Sequence, residues 1–190
     1  MSVNTFLTIC PADCDTELLL PAVETNQDCT KVAVTGSQIE DIVILPNGAT
    51  GAVDWTVPAN WTSVIDNTDV LNAKAKHLVG EGGKGASEPV TIPMPKGKTK
   101  VKHRLHTVTF TMKNVSDLHY AFGQAIQCGY SDFTFWYSNE ANTFGGQTGI
   151  IPASATCDFP LGEGVDDIEL MVLTFTFKSD GDPPRTATIH

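Results

Sequence analysis

Four groups of side chains in this chain have the types and spacing to do chemistry. The first is Gly80-Glu-Gly82-Gly-Lys-Gly85, which matches the G-x-G-x-x-G spacing of a dinucleotide-binding turn. Such a turn works because a strand leads into a helix whose free backbone N–H groups face the pyrophosphate. Here Pro89, Pro93 and Pro95 follow at once and forbid the helix. The stretch also lacks the spacing of a phosphate-binding loop ending in G-K-S/T. A mobile Gly/Pro-rich loop is the expectation for residues 80–97, with Val90-Thr-Ile92 at most a short edge segment.

The second group is the thiols. Cys10, Cys14 and Cys29 offer three soft ligands, whereas a structural zinc site wants four, usually in paired C-x2-C knuckles. No second pair and no nearby histidine completes the set, so no metal is expected. The third group is the histidines. His103 and His106 stand three apart on an expected strand, which points them to opposite faces and keeps them from sharing a metal or a substrate. His119 lies beside the apolar stripe of an expected helix. No G-x-S-x-G elbow, no H-E-x-x-H and no nucleophile–histidine–carboxylate cluster is legible, so neither an enzyme nor a cofactor is expected.

The fourth group is the most informative. Lys96, Lys98, Lys100, Lys102 and Arg104 recur at every second residue and hold five of the twelve Lys+Arg in a chain of net charge −10. On a strand they would share one face. One reading is a solvated edge whose lysines discourage aggregation. The other is electrostatic docking onto an acidic surface of another copy, for which Glu163, Asp166, Asp167 and Glu169 are the candidates. A positive face meeting a negative face of an identical molecule is a heterologous contact, which closes into rings or propagates as stacks. The same acidity repels nucleic acid on average, which argues against a DNA-gripping protein and is compatible with a surface past which DNA moves without sticking.

The elements that would position these groups are mostly strands. The 190 residues suffice for one domain with a sizeable core, at 41% hydrophobic and 18% charged residues. Five irregularly spaced cysteines are not a secreted disulfide framework, and Met1–Ile9 lacks both the charge and the apolar run of a signal peptide, so cytoplasmic synthesis is expected. Residues 1–36 read as an extended arm, 37–179 as the domain and 180–190 as a solvated tail. Ile39–Leu45 is an expected strand ended by Pro46-Asn47-Gly48, and Val53–Val57 and Trp61–Ile65 are read as further strands. Lys98–Lys113 is the longest strand, but its apolar phase switches: Val101 and Leu105 lie on one face, Val108, Phe110 and Met112 on the other. The switch predicts a bulge, or a strand whose first half projects from the domain. One helix over 115–128 is expected, capped by Asn114 or Ser116, ended by Gly129, and buried along Leu118, Ala121, Phe122, Ala125 and Ile126. Asp132–Ser138 and Ile168–Lys178 complete the strands. The expected class is mostly β, a β-sandwich or partial barrel with one flanking α-helix.

An arm, β-strands, a long strand with a projecting half, one amphipathic helix (Asn114–Gly129) and then the strands Asp132–Ser138 and Ile168–Lys178 make an order that resembles the tail-tube proteins of tailed phages and contractile injection machines. The resemblance runs coarsely over Ile39–Lys178 and carries no short signature motif. It implies a virion structural protein made in the host cytoplasm. Such subunits form homo-oligomeric rings, usually hexameric, that stack into a tube, contact other virion proteins and let DNA pass without specific binding or any membrane. Lys98–Lys113 would then be the projecting segment and residues 1–36 the arm. Two other roles suit the same composition: a capsid decoration or tail-completion protein, and a carbohydrate- or peptide-binding β-sandwich module using Trp55, Trp61 and Trp136.

Overall fold

A computed structural model of the chain describes residues 38–46, 54–65, 75–113, 115–129, 132–161 and 169–187. The expected arm, with Cys10, Cys14 and Cys29, lies outside these residues. Along the described chain run β1 (Ile39–Pro46), α1 (Pro58–Ile65), β2 (Lys76–Lys84), β3 (Glu88–Pro93), β4 (Thr99–Lys113), α2 (Asp117–Gln127), β5 (Phe133–Ser138), β6 (Asn142–Phe144), β7 (Ser154–Asp158), β8 (Leu170–Ser179) and β9 (Arg185–Ala187). The fold is mostly β, as the strand patterns of the sequence imply. The strands pair antiparallel in the order β7-β8-β4-β2-β1-β5-β6-β9, with β3 joined to β4 outside that path.

The sheet curls into a partial barrel. Three strands separate β5 from β8 in the order, yet the rings of Phe135 and Phe175 lie 4.8 Å apart. The chain closes the seam: Phe135 bridges Ile150, and Ala153 N–H donates to the Thr176 carbonyl at 2.7 Å. The interior is filled by the period-2 face of each strand. Met171, Leu173, Phe175 and Phe177 of β8 point inward with no exposed surface, as do Val108, Phe110, Phe133 and Phe135. Each such side chain contributes roughly 1.5–3 kcal/mol by leaving water. β5 is buried on both faces. Its outward Trp136 joins Val43, Leu45, Trp55, Trp61 and Ala75 in a second cluster.

That second cluster corrects the expectation of strands at Val53–Val57 and Trp61–Ile65. The alternation of Val53, Trp55 and Val57 looks strand-like, but Asp54 turns the chain first. Its carboxylate accepts from Thr56 N–H at 2.9 Å and from Thr56 Oγ1 at 2.6 Å, and its carbonyl accepts from Asn60 Nδ2 at 2.7 Å. Pro58 then opens α1, a position that suits its fixed φ. The chain therefore has a second helix beside the one expected.

Gly80, Gly82 and Gly83 correct the expectation of a mobile loop, because they lie within β2. The ring of Phe110 on the neighbouring strand lies over Gly80 and Gly82. A Cβ at Gly82 would meet Thr109 O at 2.7 Å and Phe110 Cδ2 at 2.8 Å. Glycine is used here for close approach and not for looseness.

The helix α2 starts where the sequence placed it. Ser116 Oγ accepts from His119 N–H at 3.3 Å, and His119 Nδ1 accepts from Ser116 N–H at 3.3 Å, a reciprocal cap. Gly129, at φ 92°, ends the turn. The buried stripe, however, is rotated from the one expected. Gly123 and Ile126 are buried and Phe122 is half-buried, whereas Leu118, Ala121 and Ala125 are exposed. Gly123 decides this: a Cβ there would overlap Phe159 Cζ and sit 2.7 Å from Cys157 Sγ, so the glycine face makes the closest docking to β7. Ser116→Ala is expected to lower stability by about 1 kcal/mol, read as a shift in the urea unfolding midpoint.

The expected solvated tail is also partly strand. β9 pairs with β6 through Asn142↔Ala187, Thr143↔Thr186 and Phe144↔Arg185, and Thr186 Oγ1 donates to the Thr143 carbonyl at 3.2 Å. Arg185, Thr186 and the small Ala187, coming after a Pro-Pro step, carry little hydrophobic signal, which is why the sequence reads them as tail.

Candidate functional site

β4 is fifteen residues long, but its neighbours do not cover it evenly. β8 pairs with Arg104–Lys113, and β2 pairs with Val108–Thr111. Among the described residues Thr99–His103 has only β3 beside it. The β3–β4 hairpin therefore leaves the barrel, projecting roughly 15–20 Å at about 3.3 Å per residue. β3 is exposed along its whole length, and Val90, Ile92, Met94 and Val101 are 38–44% exposed. The tip is a 3-10 turn at Pro95–Gly97, with Met94 N–H donating to the Lys98 carbonyl at 2.7 Å.

The phase switch read in the sequence has its cause in the register. Pairing steps from Val90↔His103 to Thr91↔Val101, so β4 places one extra residue, Lys102, against a single step of β3. A bulge of one residue inverts the face of everything before it. Val101 thus shares a sheet face with His106 and Val108, and Lys100 lies on the face opposite Arg104. This corrects the expectation that the five cations share one face; they are distributed around the hairpin. Lys96, Lys98, Lys100 and Lys102 are exposed, and Arg104 at the root is half-buried, with Nη1 3.2 Å from Ser87 Oγ.

The acidic candidates divide. Glu163, Asp166 and Asp167 lie outside the described residues. Glu169 is exposed and immediately precedes Leu170, which pairs with Lys113 at the far end of the ladder from Arg104↔Ser179. About 30 Å of strand separates the two ends. The hairpin cations and Glu169 therefore cannot meet within one molecule. Among the described residues Lys84 pairs with Asp182 and Lys113 with Glu81, His77 Nε2 lies 3.0 Å from Asp41 Oδ1 and His106 Nδ1 3.6 Å from Asp182 Oδ1, and none of these contacts engages Lys96, Lys98, Lys100, Lys102 or Arg104. The run from Glu88 to Arg104 holds five bases and one acid, whereas the rest of the chain holds seven bases and twenty-one acids.

The hairpin root carries a cluster that the sequence did not reveal. His106 is fully buried, with its ring stacked on Phe177 at 4.7 Å. Nε2 lies 2.8 Å from Ser179 Oγ and Nδ1 lies 3.6 Å from Asp182 Oδ1. Lys84 Nζ donates to the same carboxylate oxygen at 2.8 Å. Burial lowers the His106 pKa below 6.5, and the charges of Lys84 and Arg104 add to that against the pull of Asp182. The hydrogen bond from Lys84 holds the Asp182 carboxyl below its ordinary range. Ser179, His106 and Asp182 have the connectivity of a nucleophile–base–carboxylate relay. Ser179 is fully buried, however, and its hydroxyl donates to the Gly181 carbonyl, so it offers no attacking oxygen. The available signal was that His106 is in phase with Val108, Phe110 and Met112, and an inward histidine needs partners.

Beside the cluster lies a cavity of about 330 Å³ lined by Ile39, Lys84, Tyr137, Asn139, Phe144, Asp182 and Pro183. Burial, aided by Asp182, pushes the Tyr137 phenol well above its ordinary pKa of 10. The ring stacks on Phe144 at 5.0 Å. His103 is half-buried on the face of β4 opposite His106. Burial, with Asp158 adding, pushes the Cys157 thiol up to about 11, which leaves it inert at neutral pH. Trp55, Trp61 and Trp136 pack on one another with centroids 4.7–5.7 Å apart and at most 2% exposed, so they line no groove for a glycan.

Among the described residues no three His, Cys, Asp or Glu side chains lie together as a metal site, and no helix is long and apolar enough to cross a membrane. Comparisons of the chain with protein-family models, curated proteins and solved structures find no match.

Proposed function

We propose that this protein is a self-assembling virion structural subunit of the tail-tube kind, whose copies join into rings that stack into a tube through which DNA passes. The observation that carries the reading is the projecting β3–β4 hairpin, which sets five cations without an ion-pair partner among the described residues on a body with a large acidic excess. A projection of one charge and a body of the other on the same molecule make a heterologous contact, and heterologous contacts propagate. The half-exposed Val90, Ile92, Met94 and Val101 give that contact apolar area as well as charge. The acidic body suits a conduit, because it repels the phosphate backbone instead of holding it.

Electron microscopy of the purified protein tests the reading. Rings or tubes are expected, growing with protein concentration. A strictly monomeric species at high concentration, measured by light scattering, overturns it.

A further inference from the structure

The hairpin root holds a titratable ring with one hydrogen-bonding atom left over. His106 Nε2 faces Ser179 Oγ, and that hydroxyl already donates to the Gly181 carbonyl. A hydroxyl has one proton to give, so Nε2 carries the ring proton and donates to Ser179. The neutral ring then presents a bare acceptor at Nδ1, and this buried atom has no hydrogen-bond partner among the described residues. Facing it at 3.6 Å is Asp182 Oδ1, a second acceptor, already bonded to Lys84 Nζ. One proton converts this confrontation into a donor–acceptor pair.

We propose that His106 is a proton-operated latch: uptake of a proton at Nδ1 sets the ring in competition with Lys84 for Asp182, weakens the tie that Lys84 makes to residues 180–184 and leaves surplus positive charge beside Arg104, where the hairpin joins the barrel. The position makes the change consequential. Arg104↔Ser179 is the last pair of the β4–β8 ladder before the hairpin projects. Residues 180–184 lead from that pair to β9, and the Pro184 carbonyl accepts from Gly145 N–H at 3.2 Å. The charged groups around the ring are Lys84 from β2, Arg104 from β4 and Asp182 beyond β8. Tyr137 from β5 shares the cavity with Asp182 as a neutral phenol, and Asp180, next to Ser179, is exposed. Protonation sets three cations, Lys84, Arg104 and the imidazolium, against one carboxylate, and this loosens the root and the hairpin with it.

The sign of the pH dependence follows from the lowered folded-state pKa. Keeping the ring neutral costs nothing above pH 6.5, where the unfolded chain is neutral too. Stability falls as pH drops below 6.5, because the unfolded chain then binds the proton first, and it levels off once the folded ring titrates. The inference does not rest on self-assembly, and its readout works on monomer or assembly alike. Hydrogen exchange by mass spectrometry, corrected for intrinsic rates, is compared between pH 7.5 and 5.0. Exchange in 99–106 and 179–184 is expected to rise at least threefold at the lower pH, and this rise is expected to be absent in H106Q, whose amide can donate to Ser179 but cannot titrate. An equal rise in H106Q overturns the latch. D182N, altered at an exposed side chain, and K84M test it independently of how H106Q folds. The pH midpoint is expected to move down in the first and up in the second, and a midpoint unmoved in both overturns the proposal.

Discussion

Reversing Lys98, Lys100 and Lys102 to glutamate is expected to weaken the proposed assembly by at least about 100-fold while leaving the barrel folded. All three are exposed, and no ion pair among the described residues would be broken. Surface charges of this kind are worth within about 0.5 kcal/mol to the fold. Against an acidic neighbour the same reversal replaces three attractions by three repulsions, and like-charge juxtaposition at an interface costs several kcal/mol. The wild type is expected to lose assembly between about 0.1 M and 1 M salt, as the screening length falls from about 10 Å to 3 Å. Sedimentation velocity at both salt concentrations measures this. Unchanged particles in the triple variant would remove the hairpin from the contact.

Gly82→Val is expected to destabilise the protein by about 3 kcal/mol, even though valine favours strands and glycine does not. The new Cβ would stand 2.7 Å from a backbone carbonyl and 2.8 Å from the Phe110 ring, and neither can retreat within a paired ladder whose interior is full. Phe110→Ala alone leaves a cavity and costs about 3–5 kcal/mol. The double variant is expected to be more stable than the sum of the two losses, because the valine then enters space the ring has left. Chemical denaturation of the four proteins closes the cycle. Additive losses would show that the ring and the glycine do not share that space.

The features legible in the sequence were those with a period or a cap. β8 was readable because Met171, Leu173, Phe175 and Phe177 alternate without interruption. The two ends of α2 were readable because Ser116 and Gly129 are local signals. The projecting half of β4 was readable because a bulge leaves a phase error in the apolar pattern. What failed was glycine. At Gly80 and Gly82 it marks a ring lying over a strand, and at Gly123 it marks a helix pressed against Cys157 and Phe159. In both places its meaning depends on a neighbour distant in sequence, and locally it reads as a breaker or as neutral. The His106 cluster failed for the same reason: Ser179 stands 73 residues away. The acidic candidates were only partly placed, with Glu169 exposed at the ladder's far end.

The β4–β8 ladder also sets the order in which the chain can acquire its shape. Its partners are 57 residues apart at Lys113↔Leu170 and 75 apart at Arg104↔Ser179. During synthesis the interior faces of β1, β2, β4 and β5 must wait, unclosed, until β8 leaves the ribosome with four of the side chains that seal them. The β3–β4 hairpin, whose partners are at most 17 residues apart, needs no such wait. A nascent chain therefore presents its lysine-rich finger well before it has a body, and its folding is expected to be slow, in the milliseconds-to-seconds range of non-local β topologies.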